Sequence, residues 1–156
     1  MIRSSITIIL VLATLLTGLI AGFFYTWSFT IMQSLNLVDN QNASVAMISI
    51  NANIRTGWFA AIFFGAPVTI LLATVLLHRI KNRAYIWALI AFIFAVSTLV
   101  ITFSQHIPLN DRLADGLDWV AYYTSWVGWN HVRMTTSVLA FLMMLGAVLS
   151  FNKARY

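Results

Sequence analysis

Residues 58–77 read WFAAIFFGAPVTILLATVLL, an uninterrupted apolar run of the length that a helix needs to cross a bilayer. A spanning helix takes about 20 apolar residues and satisfies every backbone group internally, because hydrocarbon offers no water to pair with them. Three further runs share this character, and we expect the first to be a span rather than a cleaved signal sequence. The predicted membrane spans lie at about 6–32, 58–77, 85–103 and 132–151.

The composition also indicates a protein that lipid covers. It is 61% hydrophobic and 8% charged, with a mean hydropathy of +0.88, whereas soluble domains carry about 25% charged residues. The pI near 10.1 does not indicate nucleic-acid binding, because the charges are few and lie at the ends of apolar runs. The absence of cysteine excludes disulfides, thiolate catalysis and cysteine-ligated metals.

The basic residues predict the orientation of the spans. Six Lys and Arg residues fall at the N-terminus, in the short link 78–83 and at the C-terminus, and three fall on the opposite side. Because cytoplasmic segments are enriched in Lys and Arg, we predict that both termini are cytoplasmic. The expected fold is all-α: a single membrane domain over 1–156, a four-transmembrane-helix bundle with two long outer connections at 33–57 and 104–131. We expect a multi-pass protein of a bacterial inner (plasma) membrane.

Both outer connections carry helical signals. In the second connection, Pro108 is expected to start a short helix, Gly116 to end it, and Asp118 to cap the helix that follows. In the first, an apolar helix face is expected, with an N-cap near its start. The predicted face and cap are Val45, Ile48 and Ala52, with Asn42 or Ser44 as the cap. In the first span, Gly18 and Gly22 are expected to face a neighbouring helix, since small residues permit close packing.

The stretch WVAYYTSWVGWNHVR at 119–133 holds the most informative pattern. At about 100° per residue, its aromatic and polar side chains fall within one arc of about 120°, while His131 points elsewhere. The members of this stripe are Trp119, Tyr122, Tyr123, Trp126, Trp129, Asn130 and Arg133. An interfacial aromatic belt would explain the tryptophans nearest the membrane. A ligand-facing surface also explains the amide and the arginine, since an arginine at membrane depth is usually paired or functional.

A metal site is a weaker interpretation of the histidines. His106, His131 and Met134 together would suit copper, but their spacing matches no compact metal motif. We therefore expect no metal and no cofactor. The spans hold no carboxylate, which argues against a proton-coupled transporter.

Several of these strings together resemble the DUF1772 family, the anthrone oxygenase-like integral membrane proteins, and its bacterial members in particular. They are HIPLN at 106–110 followed by Leu113, WVGWNHVR at 126–133, TGLIAGFFY at 17–25, and Ile50 with Asn51. The resemblance covers nearly the whole chain. It implies four spans, long outer loops and, by analogy with the fungal members, cofactor-free oxidation of an anthrone to an anthraquinone.

The resemblance also suggests roles for particular residues. An anthrone has an acidic C–H beside a carbonyl, and loss of that proton gives an enolate that reacts with O₂. Arg133 and Asn130 would hold the oxyanion, and His106 would be the base. The expected substrate-binding residues are Trp119, Tyr123, Trp126, Trp129, Asn110, Asn51 and Tyr25.

Two other function classes remain open on the sequence. One is a non-catalytic membrane protein that binds a lipid or small apolar ligand at its outer face, and the other is a structural subunit of a membrane complex. The expected partners are membrane lipid and a small hydrophobic aromatic or quinol, with no nucleic acid.

Overall fold

The computed structural model describes residues 2–54 and 57–153, and this part of the chain is almost entirely helical. Two π-helical segments, Trp27–Ile31 and Thr102–His106, continue helices that would otherwise be separate. The α-helices in this part of the chain are α1 (Ile2–Thr26), α2 (Met32–Leu35), α3 (Asn40–Ile54), α4 (Trp58–Arg79), α5 (Ala84–Ile101), α6 (Ile107–Ala114) and α7 (Trp119–Lys153).

Four helical stretches of the described residues are long and apolar enough to cross a membrane, namely Ile2–Leu35, Trp58–Arg79, Ala84–Ala114 and Trp119–Lys153. The predicted all-α, four-span fold is therefore confirmed. Two of the stretches, Ala84–Ala114 and Trp119–Lys153, run well past the predicted span ends, because the second outer connection continues both spans as helix. The cytoplasmic placement of both termini stays a prediction.

The four stretches form a ring in which α1 packs on α4 and α7, while α5 packs on α4 and α7. We call the end with the chain termini and the 80–83 turn the terminal half, and the end with the two long connections the loop half. Alanines fill the helix contacts of the terminal half and permit close backbone approach. The buried alanines are Ala13, Ala73, Ala84, Ala88, Ala91, Ala95, Ala140 and Ala147.

The two glycines of α1 differ in their surroundings. A Cβ built on Gly18 would lie 3.1 Å from Cε2 of Phe141, so the absence of a side chain there permits contact with α7. A Cβ on Gly22 would meet nothing within 4 Å. The prediction that both glycines face a neighbouring helix is therefore confirmed for Gly18. It is wrong for Gly22, which lies on the outside of the bundle.

Helix α3 packs against the loop half with a face other than the predicted one. Its buried residues are Ala43, Met47 and Asn51, whereas the predicted face of Val45, Ile48 and Ala52 is exposed. The spacing of apolar residues predicts the wrong face of α3, because exposed positions of a membrane protein also carry apolar side chains.

Aspartates cap the first turns of two helices in the loop half, α3 and α7. The carboxylate Oδ1 of Asp39, not Asn42 or Ser44, accepts the backbone N–H of Asn42 at 3.0 Å at the start of α3. This hydrogen bond holds the pKa of Asp39 below its usual value. The predicted cap Asp118 is confirmed, since its Oδ2 accepts the backbone N–H groups of Val120 at 2.9 Å and Ala121 at 3.2 Å.

The turn between α6 and α7 also follows the prediction. Pro108 lies in the first turn of α6, which continues from the second π-helical segment without a break. Gly116 has a φ of 99°, in the region that favours glycine, and it follows the end of the helix. Together with α3, these elements cover the loop half of the bundle.

Candidate functional site

A cavity of about 290 Å³ lies in the loop half, enclosed by the outer ends of the four helical stretches and by α3. This volume is at the lower end of the range for small-molecule sites, which is about 300–1,000 Å³. Its wall is mostly aromatic, with a few polar side chains. The lining residues are Phe23, Phe24, Trp27, Met47, Asn51, Ile54, Phe59, Ala60, Phe63, Phe64, Thr102, Phe103, His106, Ile107, Asn110, Trp126 and Arg133.

Arg133 is buried in the wall of this cavity. Its Nε and Nη2 donate to Oδ1 of Asn130 at 3.1 and 2.6 Å, and its Nη1 donates to Oγ1 of Thr102 at 3.4 Å. The guanidinium carbon lies 4.1 Å from the ring centre of Phe24 and 5.4 Å from that of Trp126. The cation is thus held by neutral oxygens and aromatic faces, so it keeps its positive charge available to a ligand.

Asn130 holds Arg133 in place and is fully buried. Its Nδ2 donates to the backbone oxygen of Phe24 at 3.2 Å and to Oγ of Ser28 at 2.8 Å. These two bonds fix which end of the amide faces the arginine. Because its amide groups are used within the protein, Asn130 is a positioning residue and not a contact for a ligand.

The two π-helical segments both belong to this site. The first contains Ser28 and Trp27, and the second contains Thr102 and His106. Segments of this kind are rare and occur often at functional sites, where they change which side chains face inward. Here they place polar side chains beside Arg133 in stretches that are otherwise apolar.

A second polar chain reaches the cavity from the loop side. The hydroxyl of Tyr122 donates to Oδ1 of Asn110 at 2.9 Å, and Nδ2 of Asn110 donates to Oδ1 of Asn51 at 3.2 Å. Tyr122 is fully buried, while both asparagines line the cavity. The chain therefore connects a buried phenol to the cavity wall.

Several buried polar atoms of the lining residues have no hydrogen-bond partner within the described part of the protein. They are Nδ2 of Asn51, both ring nitrogens of His106, and Nε1 of Trp27 and of Trp126. Buried polar atoms are normally paired, so a cluster of unpaired ones requires an explanation. These atoms have almost no accessible surface, so they lie behind the surface of the cavity wall.

The cavity also reaches the outside of the bundle. Phe64 of α4 and Phe103 of the second π-helical segment both line it, although they are 47% and 52% exposed. Their ring centres lie 6.3 Å apart. Because both residues belong to spans, an apolar molecule dissolved in the bilayer would meet these two rings first.

The structure brings together part of the predicted site. Arg133, Trp126, His106, Asn110 and Asn51 all line the cavity. His106 is buried with its ring edge-on to Trp126, at a centroid distance of 5.1 Å.

Other predicted site residues lie elsewhere. Trp119 and Tyr123 do not line the cavity. Their ring centres lie 6.1 Å apart, and Nε1 of Trp119 donates to Oδ1 of Asn36 at 3.1 Å. Tyr25 and Trp129 are 56% and 41% exposed on the outside of the bundle. They do not line the cavity, because their helix positions fall at the edge of the inward face.

His106 and His131, the two histidines of the predicted outer region, have different surroundings. His131 stacks on Phe29, with ring centres 5.5 Å apart, and is not among the cavity residues. Within 2–54 and 57–153, no three His, Asp or Glu side chains converge as metal ligands would. The absence of a metal stays a prediction.

Sequence reasoning missed the phenylalanines of the cavity and the two hydroxyls that complete its polar part. Phe24, Phe59 and Phe63 lie within apolar runs, where a cavity-lining ring has the same pattern as a lipid-facing one. Thr102 and Ser28 carried no distinct signal, since each has another hydroxyl residue two positions away, Ser104 for the first and Thr26 and Thr30 for the second.

Comparison with known proteins places these residues in a family context. A family model described as anthrone oxygenase matches residues 56–143, more than half of the chain. The matched region includes His106, Asn110, Asn130 and Arg133. No curated protein and no solved structure matches the chain.

Proposed function

This chain belongs to the anthrone oxygenase family, and we propose that it is a membrane-embedded oxygenase that oxidises a flat, hydrophobic aromatic or quinol without a cofactor. The observation that carries the proposal is the buried Arg133 in an aromatic cavity, held by a positioning asparagine. Such a charge is costly at membrane depth and is expected to serve a function. Stacked rings would hold a planar substrate, and the guanidinium would stabilise negative charge that develops on its oxygen.

For an anthrone as substrate, the reaction would be a four-electron reduction of dioxygen. A base removes one proton from the CH₂ group opposite the carbonyl, and the electron pair moves into the ring system to give an enolate. The enolate carbon then transfers its electrons to O₂, a C–O bond forms, and protonation gives a hydroperoxide. Loss of the second proton from that carbon breaks the O–O bond, so the CH₂ group becomes C=O and one water leaves.

His106 is our candidate for the base of this sequence. It lines the cavity, with its ring edge-on to that of Trp126. A neutral imidazole carries one free acceptor nitrogen, which is what proton removal requires. Arg133 would contact the enolate oxygen, while Asn130 would hold the guanidinium in position.

Isotope labelling tests the proposal. The purified chain in lipid nanodiscs is given an anthrone under ¹⁸O₂, and we expect the new carbonyl of the quinone to carry one ¹⁸O atom faster than in empty nanodiscs. His106→Gln should lose this rate enhancement. Because Arg112 is exposed on α6, Arg112→Gln serves as the control and should retain it. Equal rates with and without the chain would contradict the proposal.

A non-catalytic binding function is the second candidate. The observation that favours it is that the exposed side chains of Phe64 and Phe103 line the cavity, which suits an apolar molecule from the bilayer whether or not it reacts. On this alternative the chain binds an anthrone or a lipid in the cavity but gives no enhanced ¹⁸O incorporation. The same preparations, assayed for binding and for turnover, therefore separate the two functions.

A further inference from the structure

One part of the cavity wall is closed by side chains and not by helix packing. Of the described residues that line the cavity, only Phe64 of α4 and Phe103 of the second π-helical segment are exposed, while the others are buried or half-buried. Helix α4 packs along α5, but within the described residues it makes little backbone contact with the π-helical segment that continues α5. The ring centres of Phe64 and Phe103, hereafter the aromatic pair, lie 6.3 Å apart between these two elements.

The aromatic pair lies at the depth of the hydrocarbon. Phe64 is six residues after Trp58, the first residue of α4, which places it about 9 Å along the helix from that end. Phe103 is 19 residues after Ala84, where α5 begins, or about 28 Å along a helix, and the hydrocarbon core is about 30 Å thick. The exposed faces of both rings therefore contact lipid chains and not water.

The loop-side end of the cavity is closed in a different way. Helix α3 packs there on α6 and α7, and side chains of the three helices are hydrogen-bonded to one another. Asn110 of α6 is bonded to the Asn51 side chain of α3 at 3.2 Å and to the hydroxyl of Tyr122 of α7 at 2.9 Å. A ligand that passed between these helices would break these bonds and separate packed surfaces.

The two closures differ in how readily they open. Exposed side chains change rotamer within picoseconds to nanoseconds, whereas packed helices move apart over microseconds or longer. A ligand that came from the lipid would displace only the two rings of the aromatic pair, and no hydrogen bond would be lost. The route of least resistance into the cavity therefore leads from the bilayer.

We propose that ligands enter and leave the cavity sideways from the bilayer, between α4 and the second π-helical segment, and that the aromatic pair is the gate. This route admits planar apolar molecules that dissolve in lipid. A molecule with an alkyl tail can leave the tail in the bilayer while its ring occupies the cavity of about 290 Å³. The inference rests on the proposed function for the identity of the cavity as a ligand site, but it concerns entry alone and requires no turnover.

A reversible cross-link tests the gate. Because the chain has no cysteine, a variant with Phe64→Cys and Phe103→Cys carries only two thiols. A short bis-methanethiosulfonate joins them through disulfides, which dithiothreitol later breaks. Both positions are exposed, so the changes leave the core intact. The probe is 2-hydroxyanthraquinone, added to the full chain in phosphatidylcholine nanodiscs, and its arrival is followed by fluorescence quenching of Trp27 and Trp126, which line the cavity.

We expect the cross-link to slow association and dissociation of the probe at least about tenfold, as a required opening step does. Dithiothreitol should restore both rates. Probe bound before cross-linking should stay in the cavity when excess empty nanodiscs are added, whereas a damaged site would release it. The wild-type chain treated with the same reagents is the control and should keep its rates. Unchanged rates in the cross-linked chain, or rapid loss of the pre-bound probe, would overturn the proposal.

Phe64→Ala provides a second test that needs no reagent. Removal of one ring of the gate should raise the association and dissociation rates by similar factors, so the Kd should change little. Val68→Ala is the matched control, because Val68 is exposed about one turn along the same helix and does not line the cavity. A higher Kd without faster association in Phe64→Ala would mean that Phe64 only packs against the ligand, which contradicts the gate.

The outcome is distinguishable from a failure of the proposed function. Slow probe exchange in the cross-linked chain, without ¹⁸O incorporation by the wild-type chain, would retain the gate and reject the oxygenase. Full ¹⁸O incorporation by the cross-linked chain would retain the oxygenase and reject the gate.

Discussion

The same four helical stretches pack closely in the terminal half of the bundle and surround a cavity in the loop half. In the terminal half, alanines such as Ala88, Ala91 and Ala147 let the helices pack closely, and their side chains are fully buried. In the loop half, aromatic rings and residues of two π-helical segments line a cavity. The difference indicates that the terminal half provides stability and the loop half provides the site.

The buried Arg, His and Asn side chains of the described residues follow the same division. Arg133, Asn130, His106 and Asn51 all lie in the loop half, where they cost free energy unless they are paired. A stability role alone does not account for them, since apolar side chains would fill the space more favourably. Their concentration around one cavity is the reason to assign function there.

The largest expected effect comes from the charge at the centre of the loop half. Arg133→Gln should lower kcat/KM about 100-fold, because removal of one donor to a developing oxyanion typically costs 10²–10³-fold. Arg112→Gln, which removes an exposed charge on α6, should leave kcat/KM unchanged. Equal losses in the two variants would indicate a general electrostatic effect instead of a site, and steady-state oxygen consumption measures both.

Two glycines of α7, one in each half, allow the tightness of packing in the two halves to be compared. A Cβ on Gly146 would lie 2.7 Å from Cε3 of Trp87, whereas one on Gly128 would meet nothing within 4 Å. Gly146→Leu should therefore lower the free energy of unfolding by about 1–3 kcal/mol, as overpacking does. Gly128→Leu should leave stability unchanged or slightly raised, since glycine is a poor helix former. Thermal unfolding in nanodiscs gives both values, and equal stability of the two variants would contradict the close packing of the terminal half.

The smallest expected effect concerns the boundary between the halves. Oγ1 of Thr98 in α5 lies 2.9 Å from Oγ1 of Thr136 and 3.3 Å from Oγ of Ser137 in α7. Thr98→Val should lower the free energy of unfolding by about 0.6 kcal/mol, the average for such bonds between membrane helices. Ser97→Ala is the matched control, because its hydroxyl donates to a carbonyl of its own helix. A loss as large in Ser97→Ala would remove any special role for the interhelical bond.

The sequence predicted those parts of the structure that depend on local chemistry. Apolar runs predict spans because lipid requires them, and Asp118 predicts a helix start because its carboxylate pairs with free backbone N–H groups. The inward face of α7 was also predictable, since Trp126, Asn130 and Arg133 recur at helical spacing and are buried together.

The features that the sequence did not predict depend on which apolar surfaces contact lipid and which contact protein. The phase of α3 was mispredicted for this reason, because Val45 is as apolar as the buried Met47. The predicted stripe also included Trp129 and Tyr123, which lie at the edges of its arc and face away from the cavity. The π-helical segments shift the helix phase by about one residue, and no residue pattern in the sequence marks them.

The central claim is that the loop-half cavity holds a planar oxygen-bearing aromatic beside Arg133. A structure of the chain in nanodiscs with 2-hydroxyanthraquinone bound tests it most directly. We predict that the ring system lies between the aromatic walls near Phe24 and Trp126, with its oxygen within hydrogen-bond distance of Arg133. A ligand bound on the outside of the bundle, or a lipid chain retained in the cavity despite excess ligand, would contradict the account.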